Sequence, residues 1–169
     1  IEPGDEVVLI EPLYDSYLPI IRRAGGVPKL VRLSPPHWEL PRDALAAAFS
    51  ERTKLIVVNS PMNPAGKVWD ADDLAFLAGL LERHDAYAVC DEVYEHLVYD
   101  HRRHIPLMTL PGMRDRCLKI GSAGKIFSLT GWKVGWVIAA PALLQPVAKA
   151  HQYLTFTTPP NLQAAVAYG

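Results

Sequence analysis

Six short apolar runs constrain this chain more than any other feature. They are Glu6–Glu11, Lys29–Leu33, Leu55–Asn59, Tyr87–Cys90, Cys117–Gly121 and Val134–Ala140. The clearest, EVVLIE and LIVVN, are unbroken stretches of Val, Ile and Leu, not alternations of apolar and polar residues. Such a run suits a strand buried on both faces, the habit of parallel sheets. Helical patterns fill the gaps. Tyr17, Leu18 and Ile21 recur at helical spacing until Gly25-Gly26 stops them. Pro41 opens a helix with Leu45, Ala48 and Phe49 on one face. Asp70 caps another, with Leu74, Leu77, Ala78 and Leu81 at i, i+3, i+4 and i+7. Pro141 starts a third, striped by Leu143, Val147 and Leu154, and residues 161–169 begin a further one. Strands alternating with helices predict an α/β fold, a three-layer sandwich with a mainly parallel sheet covered on both faces.

Composition narrows the classes of partner. The chain has 169 residues, half of them apolar, and a formal net charge of −1. Nothing in that balance points to nucleic acid or an anionic membrane. The longest apolar stretch, 134–148, is broken by Pro141, Gln145 and Pro146, too early to span a bilayer. Cys90 and Cys117 have no CxxC spacing and read as buried thiols of a reducing compartment, the cytoplasm. His101 and His104 have a metal-like spacing, but Arg102 and Arg103 lie between them and no third ligand is in view, so no metal is expected. The first residues run straight into a strand and the last helix has barely begun. The expectation is therefore the middle of a longer protein.

Polar residues cluster where such a fold binds ligands. Tyr14, Asn63, Asp91 and Lys125 each follow the carboxyl end of a separate strand, the edge at which open α/β sheets hold ligands. Lys125 stands in a tight turn of small residues, Gly121-Ser-Ala-Gly-Lys125, followed by Gly131 and Lys133. A desolvated amine there can attack a carbonyl carbon. An amine, a carboxylate, an amide and an aromatic ring together suit one planar, charged ligand, and these are the needs of pyridoxal 5'-phosphate. Taken singly, each residue also has a structural reading. Asp91-Glu92 suits a helix N-terminus, Tyr94 a core, Asn63-Pro64 a plain turn, and Tyr14 a surface. The lysine turn lacks the earlier glycine of a P-loop and has Ile126 where Ser or Thr would bind magnesium.

Four stretches carry a family resemblance: PLYDSY at 12–17, NSPMNPAGKV at 59–68, CDEVYEHLVY at 90–99 and SAGKIFSLTGWKVGW at 122–136. In this order they resemble the large domain of a class I, fold-type I aminotransferase, closest to the kynurenine, glutamine and methionine aminotransferase branch. The resemblance implies that Lys125 is the Schiff-base lysine and Asp91 the partner of the pyridine nitrogen. It implies that Tyr94 and Asn63 bond the phenolic oxygen, that Tyr14 stacks on the ring, and that Ser122 and Lys133 contact the phosphate. Lys133 replaces the arginine of many relatives, keeping the charge and losing the bidentate fork. The catalytic residues would be Lys125, Asp91 and Tyr94, moving an amino group between an amino acid and a 2-oxo acid. The resemblance further implies cis peptides at Glu11-Pro12 and Asn63-Pro64, and a homodimeric parent protein. Residues 1–169 would be the central part of the cofactor-binding large domain, without its N-terminal segment or small domain, and inactive alone. Two alternatives stay open: a C–S β-lyase using the same first proton transfer, and an aminotransferase-like domain of a transcriptional regulator.

Overall fold

The computed structural model describes all residues, 1–169, as one six-stranded sheet with its helices. The strands are β1 (Glu6–Glu11), β2 (Val27–Arg32), β3 (Thr53–Asn59), β4 (Tyr87–Asp91), β5 (Cys117–Ser122) and β6 (Gly135–Ala139). The helices are α1 (Tyr17–Arg23), α2 (Arg42–Ala47), α3 (Ala71–Arg83), α4 (Ala123–Ile126), α5 (Pro141–Leu154) and α6 (Pro160–Tyr168). The sheet order is β2-β1-β3-β4-β5-β6. Every neighbouring pair is parallel except β5 and β6, which run antiparallel. This is the mixed, mainly parallel α/β sheet that the apolar runs predict. Strand bounds differ from the sequence reading by a few residues at most.

The alternating residues of β1 show how the layers form. Val8 and Ile10 point into the larger core with Ile56, Val58, Leu45, Leu74, Leu77 and Leu81, beneath α2 and α3. Val7 and Leu9 point the other way and pack with Ile21 of α1. Both sets are almost fully buried, which explains the unbroken apolar run. Each such side chain contributes about 1.5–3 kcal/mol on burial. The Asp70 side chain accepts from the Asp73 N–H at 2.8 Å and starts α3 as expected. Cys90 and Cys117 are both buried and free. The neighbouring Cys117 thiol, and then burial, push the Cys90 thiol well above its ordinary range.

The second helical layer is thinner than the sequence suggests. No residue of α5 or α6 is buried, and Tyr153, Leu154, Phe156 and Tyr168 stand largely in solvent. The Leu143–Val147–Leu154 stripe therefore does not face the core of this chain. Its reason is geometric, since α5 follows β6, the edge strand of the sheet, and packs mainly beside that strand.

At the amino end of the strands a buried charge ties three of them together. Glu6, 1% exposed, accepts from Ser50 Oγ at 2.6 Å and from Arg52 at 2.7 Å, with Lys29 Nζ at 3.1 Å. The Ser50 hydrogen bond, opposed by burial and helped by Lys29 and Arg52, holds the Glu6 carboxyl below its ordinary 4.5. A carboxylate with a depressed folded pKa stabilises the fold above its unfolded value, and that contribution fades as pH falls through the folded one. Glu6→Gln should therefore cost about 1.5–3 kcal/mol near neutral pH, the worth of hydrogen bonds to a charged group. The gap between wild type and variant in urea unfolding should close as the pH is taken below 4.5. A gap that is constant with pH would show that the charge of Glu6 does not contribute.

Candidate active site

The carboxyl ends of β1, β3, β4 and β5 lie side by side because their registers match. Asn59 pairs with Asp91, and Asp91 with Ile120. The loops leaving these strands therefore open onto one edge. After β1, a short loop carries Tyr14 and leads into α1, whose first residue is Tyr17. The two rings meet edge to face, with centroids 5.7 Å apart and planes at 71°. The Tyr17 hydroxyl donates to Asp91 Oδ2 at 2.5 Å.

Asn59, the last residue of β3, organises the next loop. Its side-chain oxygen accepts from the Asn63 N–H at 2.6 Å, and its amide donates to the Asp91 carbonyl at 2.8 Å. Its own carbonyl accepts from the indole of Trp69, a residue only 1% exposed. Gly66 closes the turn with φ of 69°, and its N–H reaches the Met62 carbonyl at 2.7 Å. The result aims Asn63 at Tyr94, with Nδ2 3.4 Å from the phenolic oxygen. The bonds Glu11-Pro12 and Asn63-Pro64 are cis, as the resemblance implies, and so are Pro35-Pro36 and Ser60-Pro61.

Asp91 closes β4, and Tyr94 follows in a turn. Glu92 points away from the site and is buried. It meets His104 Nε2 at 2.7 Å and Lys119 Nζ at 3.4 Å, and Lys119 also bonds Glu95. Burial works against the Lys119 ammonium, but Glu95 and Glu92 outweigh it and hold it above its ordinary value. Glu92, Glu95 and His104 lie close enough to share a cation, and the ammonium of Lys119 sits among them. His101 takes no part; it is exposed at a positive φ of 60°. The cluster fastens the loop after β4 to β5.

After β5, Ser122 caps α4, its Oγ accepting from the Gly124 N–H at 3.2 Å. Small residues are needed here. A Cβ on Gly121 would collide with the Trp136 indole across the β5–β6 pair. One on Gly124 would come within 3.0 Å of the Thr130 backbone, while Thr130 Oγ1 bonds the Gly124 carbonyl at 3.0 Å. Lys125 lies in α4, its Nζ 5.6 Å from the centre of the Tyr94 ring. Lys133 adopts the left-handed conformation, φ 56°, just before β6.

One cavity of about 260 Å³ is lined by Tyr14, Tyr17, Asn59, Asn63, Asp91, Val93, Tyr94 and Lys125. Five of the residues picked out in the sequence thus converge: Tyr14, Asn63, Asp91, Tyr94 and Lys125. Ser122 and Lys133 do not line it. They lie at the open end of the β5–β6 pair, where Ser122 stands opposite Gly135 and the Val134 carbonyl bonds Ala123. Lys125 and Tyr14 are exposed, so the lysine is not sealed from water as the tight turn suggested. The cause is that α4 is a single turn at the sheet rim, with Phe127 and Ser128 equally open beside it.

Sequence reasoning missed Tyr17 and Asn59. Tyr17 merges into the helical pattern of Leu18 and Ile21, although it lies only three residues beyond Tyr14. Asn59 closes the apolar run of β3, and a polar residue in that place is the usable sign.

The family model for aminotransferase class I and II matches residues 1–168. The chain belongs to that family. It is 43% identical to a kynurenine–oxoglutarate transaminase of Dictyostelium discoideum, over 99% of this chain and 42% of that protein. It is 40% identical to the methionine aminotransferase of Escherichia coli strain K12, over 97% of this chain and 42% of that one. The solved N-succinyldiaminopimelate aminotransferase of Mycobacterium tuberculosis superposes with a TM-score of 0.94 at 43% identity, covering 99% of this chain and 44% of that structure. This aminotransferase-family chain thus spans less than half the length of the relatives it matches. No helix in it is long and apolar enough to cross a membrane.

The Asn59 bridge generates a test. Asn59→Ala would leave the Asn63 N–H without its partner and the Asp91 carbonyl with the Ser60 N–H alone, at a cost of about 1–3 kcal/mol for the group left unpaired. Urea unfolding should show a lowered midpoint with unchanged slope. An unshifted midpoint would mean that Asn59 does not hold the two loops together.

Proposed function

We propose that the protein carrying this chain is a pyridoxal 5'-phosphate-dependent aminotransferase, moving an amino group between an amino acid and a 2-oxo acid. The observation that supports it most is the single cavity shared by Lys125, Asp91, Tyr94, Asn63 and Tyr14. Its donor set fits the cofactor: an amine for an aldehyde, a carboxylate for a protonated ring nitrogen, a phenol and an amide for a phenolic oxygen, and a ring for stacking. Ser122 and Lys133 would hold the phosphate from the end of the β5–β6 pair. The cofactor, when bound, supplies an aldehyde for the amino group and a ring that withdraws electrons from the substrate Cα.

The chain's own residues supply position and proton movement. Asp91 is held at the end of β4 by its ladder partners, by Asn59 and by Tyr17, so its carboxylate has a fixed place. Tyr94 and Asn63 form a hydrogen-bonded pair on one side of the cavity. Lys125 stands on a separate turn beside them, within reach of the space that both face. Its Nζ takes the proton from the substrate Cα and returns it to the product side, as general base and then acid. Moving that proton with one positioned group is worth about 10²–10⁴-fold in rate.

We further read residues 1–169 as the central part of a large cofactor domain, and the parent protein as a cytoplasmic homodimer. Three observations support the first part: the chain's 42% share of its relatives, the open cavity and the apolar face left exposed on α5.

Replacing the lysine tests the reading. In the full-length protein Lys125→Ala should abolish transamination while leaving unfolding by urea within about 0.5 kcal/mol, the usual range for exposed sites. A variant that still forms a borohydride-reducible link to the cofactor would show that another amine does this work.

A further inference from the structure

We infer that Tyr17 is a positioning residue of the site, one that holds the Asp91 carboxylate in a single rotation through the hydrogen bond between its hydroxyl and Oδ2. This rests on the role proposed above for Asp91. Three features carry it. The bond, at 2.5 Å, joins residues 74 apart in sequence and crosses from the start of α1 to the end of β4. No other side chain bonds the Asp91 carboxylate; its second oxygen has only the Val93 N–H, at 3.4 Å. The tyrosine itself is fixed at both ends. Ile21 on the same helix is buried with Val7 and Leu9, Tyr17 packs against that cluster, and the Tyr14 ring meets it edge to face.

The chemistry explains why a phenol serves here. A carboxylate attached by one strand-end residue can rotate about its last bond, and one strong donor removes that freedom. The donor must keep its proton throughout the working range. Burial, and then the adjacent Asp91, push the Tyr17 phenol far above its ordinary value. A phenol so reluctant to ionise does not exchange protons with substrate near neutrality, so its part is to orient and not to act as acid or base. Tyr94 and Tyr14 share the cavity but neither reaches the carboxylate by a hydrogen bond.

The test uses the full-length protein with Tyr17 replaced by Phe, or by fluorotyrosines of graded acidity. Without cofactor, the 19F signal of 3-fluorotyrosine at position 17 should titrate well above the free amino acid, and Asp91→Asn should lower its midpoint by more than one pH unit. An unmoved midpoint would overturn the pairing. With cofactor, Tyr17→Phe should lower kcat about 10- to 100-fold, the size of a hydrogen bond to a charged group. KM for the amino acid should change only a few-fold. Across the fluorotyrosines, the alkaline limb of kcat should move down in step with phenol acidity, which a merely space-filling ring would not do. A wild-type kcat in the Phe variant, or a limb indifferent to fluorination, would overturn the inference and leave the proposed function standing. Absence of cofactor-dependent turnover in the wild type would overturn both.

Discussion

The Asp91 backbone carbonyl accepts from the Asn59 side chain at 2.8 Å and from the Ser60 N–H at 3.1 Å. Much else depends on this one junction. It extends the β3–β4 pairing one step past the regular ladder and fixes where β4 must stop. Because Asn59 also holds Asn63, the same residue decides how the next loop departs. The backbones of Asp91 and Asn63 are thus placed by hydrogen bonds to one side chain, that of Asn59. A buried polar group is costly unless satisfied, and here satisfaction and placement are the same bonds.

The sheet was legible in the sequence because its physics is local. Unbroken apolar runs can be buried only between two layers, and the capped helices between them leave few arrangements. The converging residues were legible for a related reason: a polar side chain right after such a run must lie at the sheet's ligand-binding edge. What escaped was whatever depends on contacts between distant segments. Tyr17 looks like one more residue of an amphipathic helix until β4 is placed beside it. The Lys119–Glu92–Glu95–His104 cluster draws on three stretches, and no pattern within any one of them points to it. The exposure of Lys125 was equally invisible, since tight turns of small residues are read as closed and this one lies at a rim. The α5 stripe misled for the opposite reason. Helical periodicity reports that a face wants covering, not what covers it.

Charge is distributed at the two ends of the sheet in different ways. At the amino edge Glu6 gathers Ser50, Lys29 and Arg52 and joins β1 to its neighbours. At the carboxyl edge Glu92, Glu95, His104 and Lys119 form a second cluster on the side away from the cavity. Glu92 and Glu95 flank Tyr94 in sequence, and Glu92 follows Asp91, yet the cluster does not share their cavity. Loop residues are ordinarily the mobile part of a fold. Fastening this loop from behind leaves its front side free to present chemistry.

Tyr14, Asn63, Asp91 and Lys125 come from four separate stretches at the strand ends, spread over most of the chain, and no two of those stretches supply them all. A nascent chain therefore carries no partial version of it; the cavity exists only once β1, β3, β4 and β5 are docked. Such long-range pairing is slow to assemble, because loop closure precedes any reward from contact. A molecule that binds there recognises the finished sheet and nothing earlier. By mass action it draws the population toward that state. Occupancy by a ligand therefore reports that the sheet has been built.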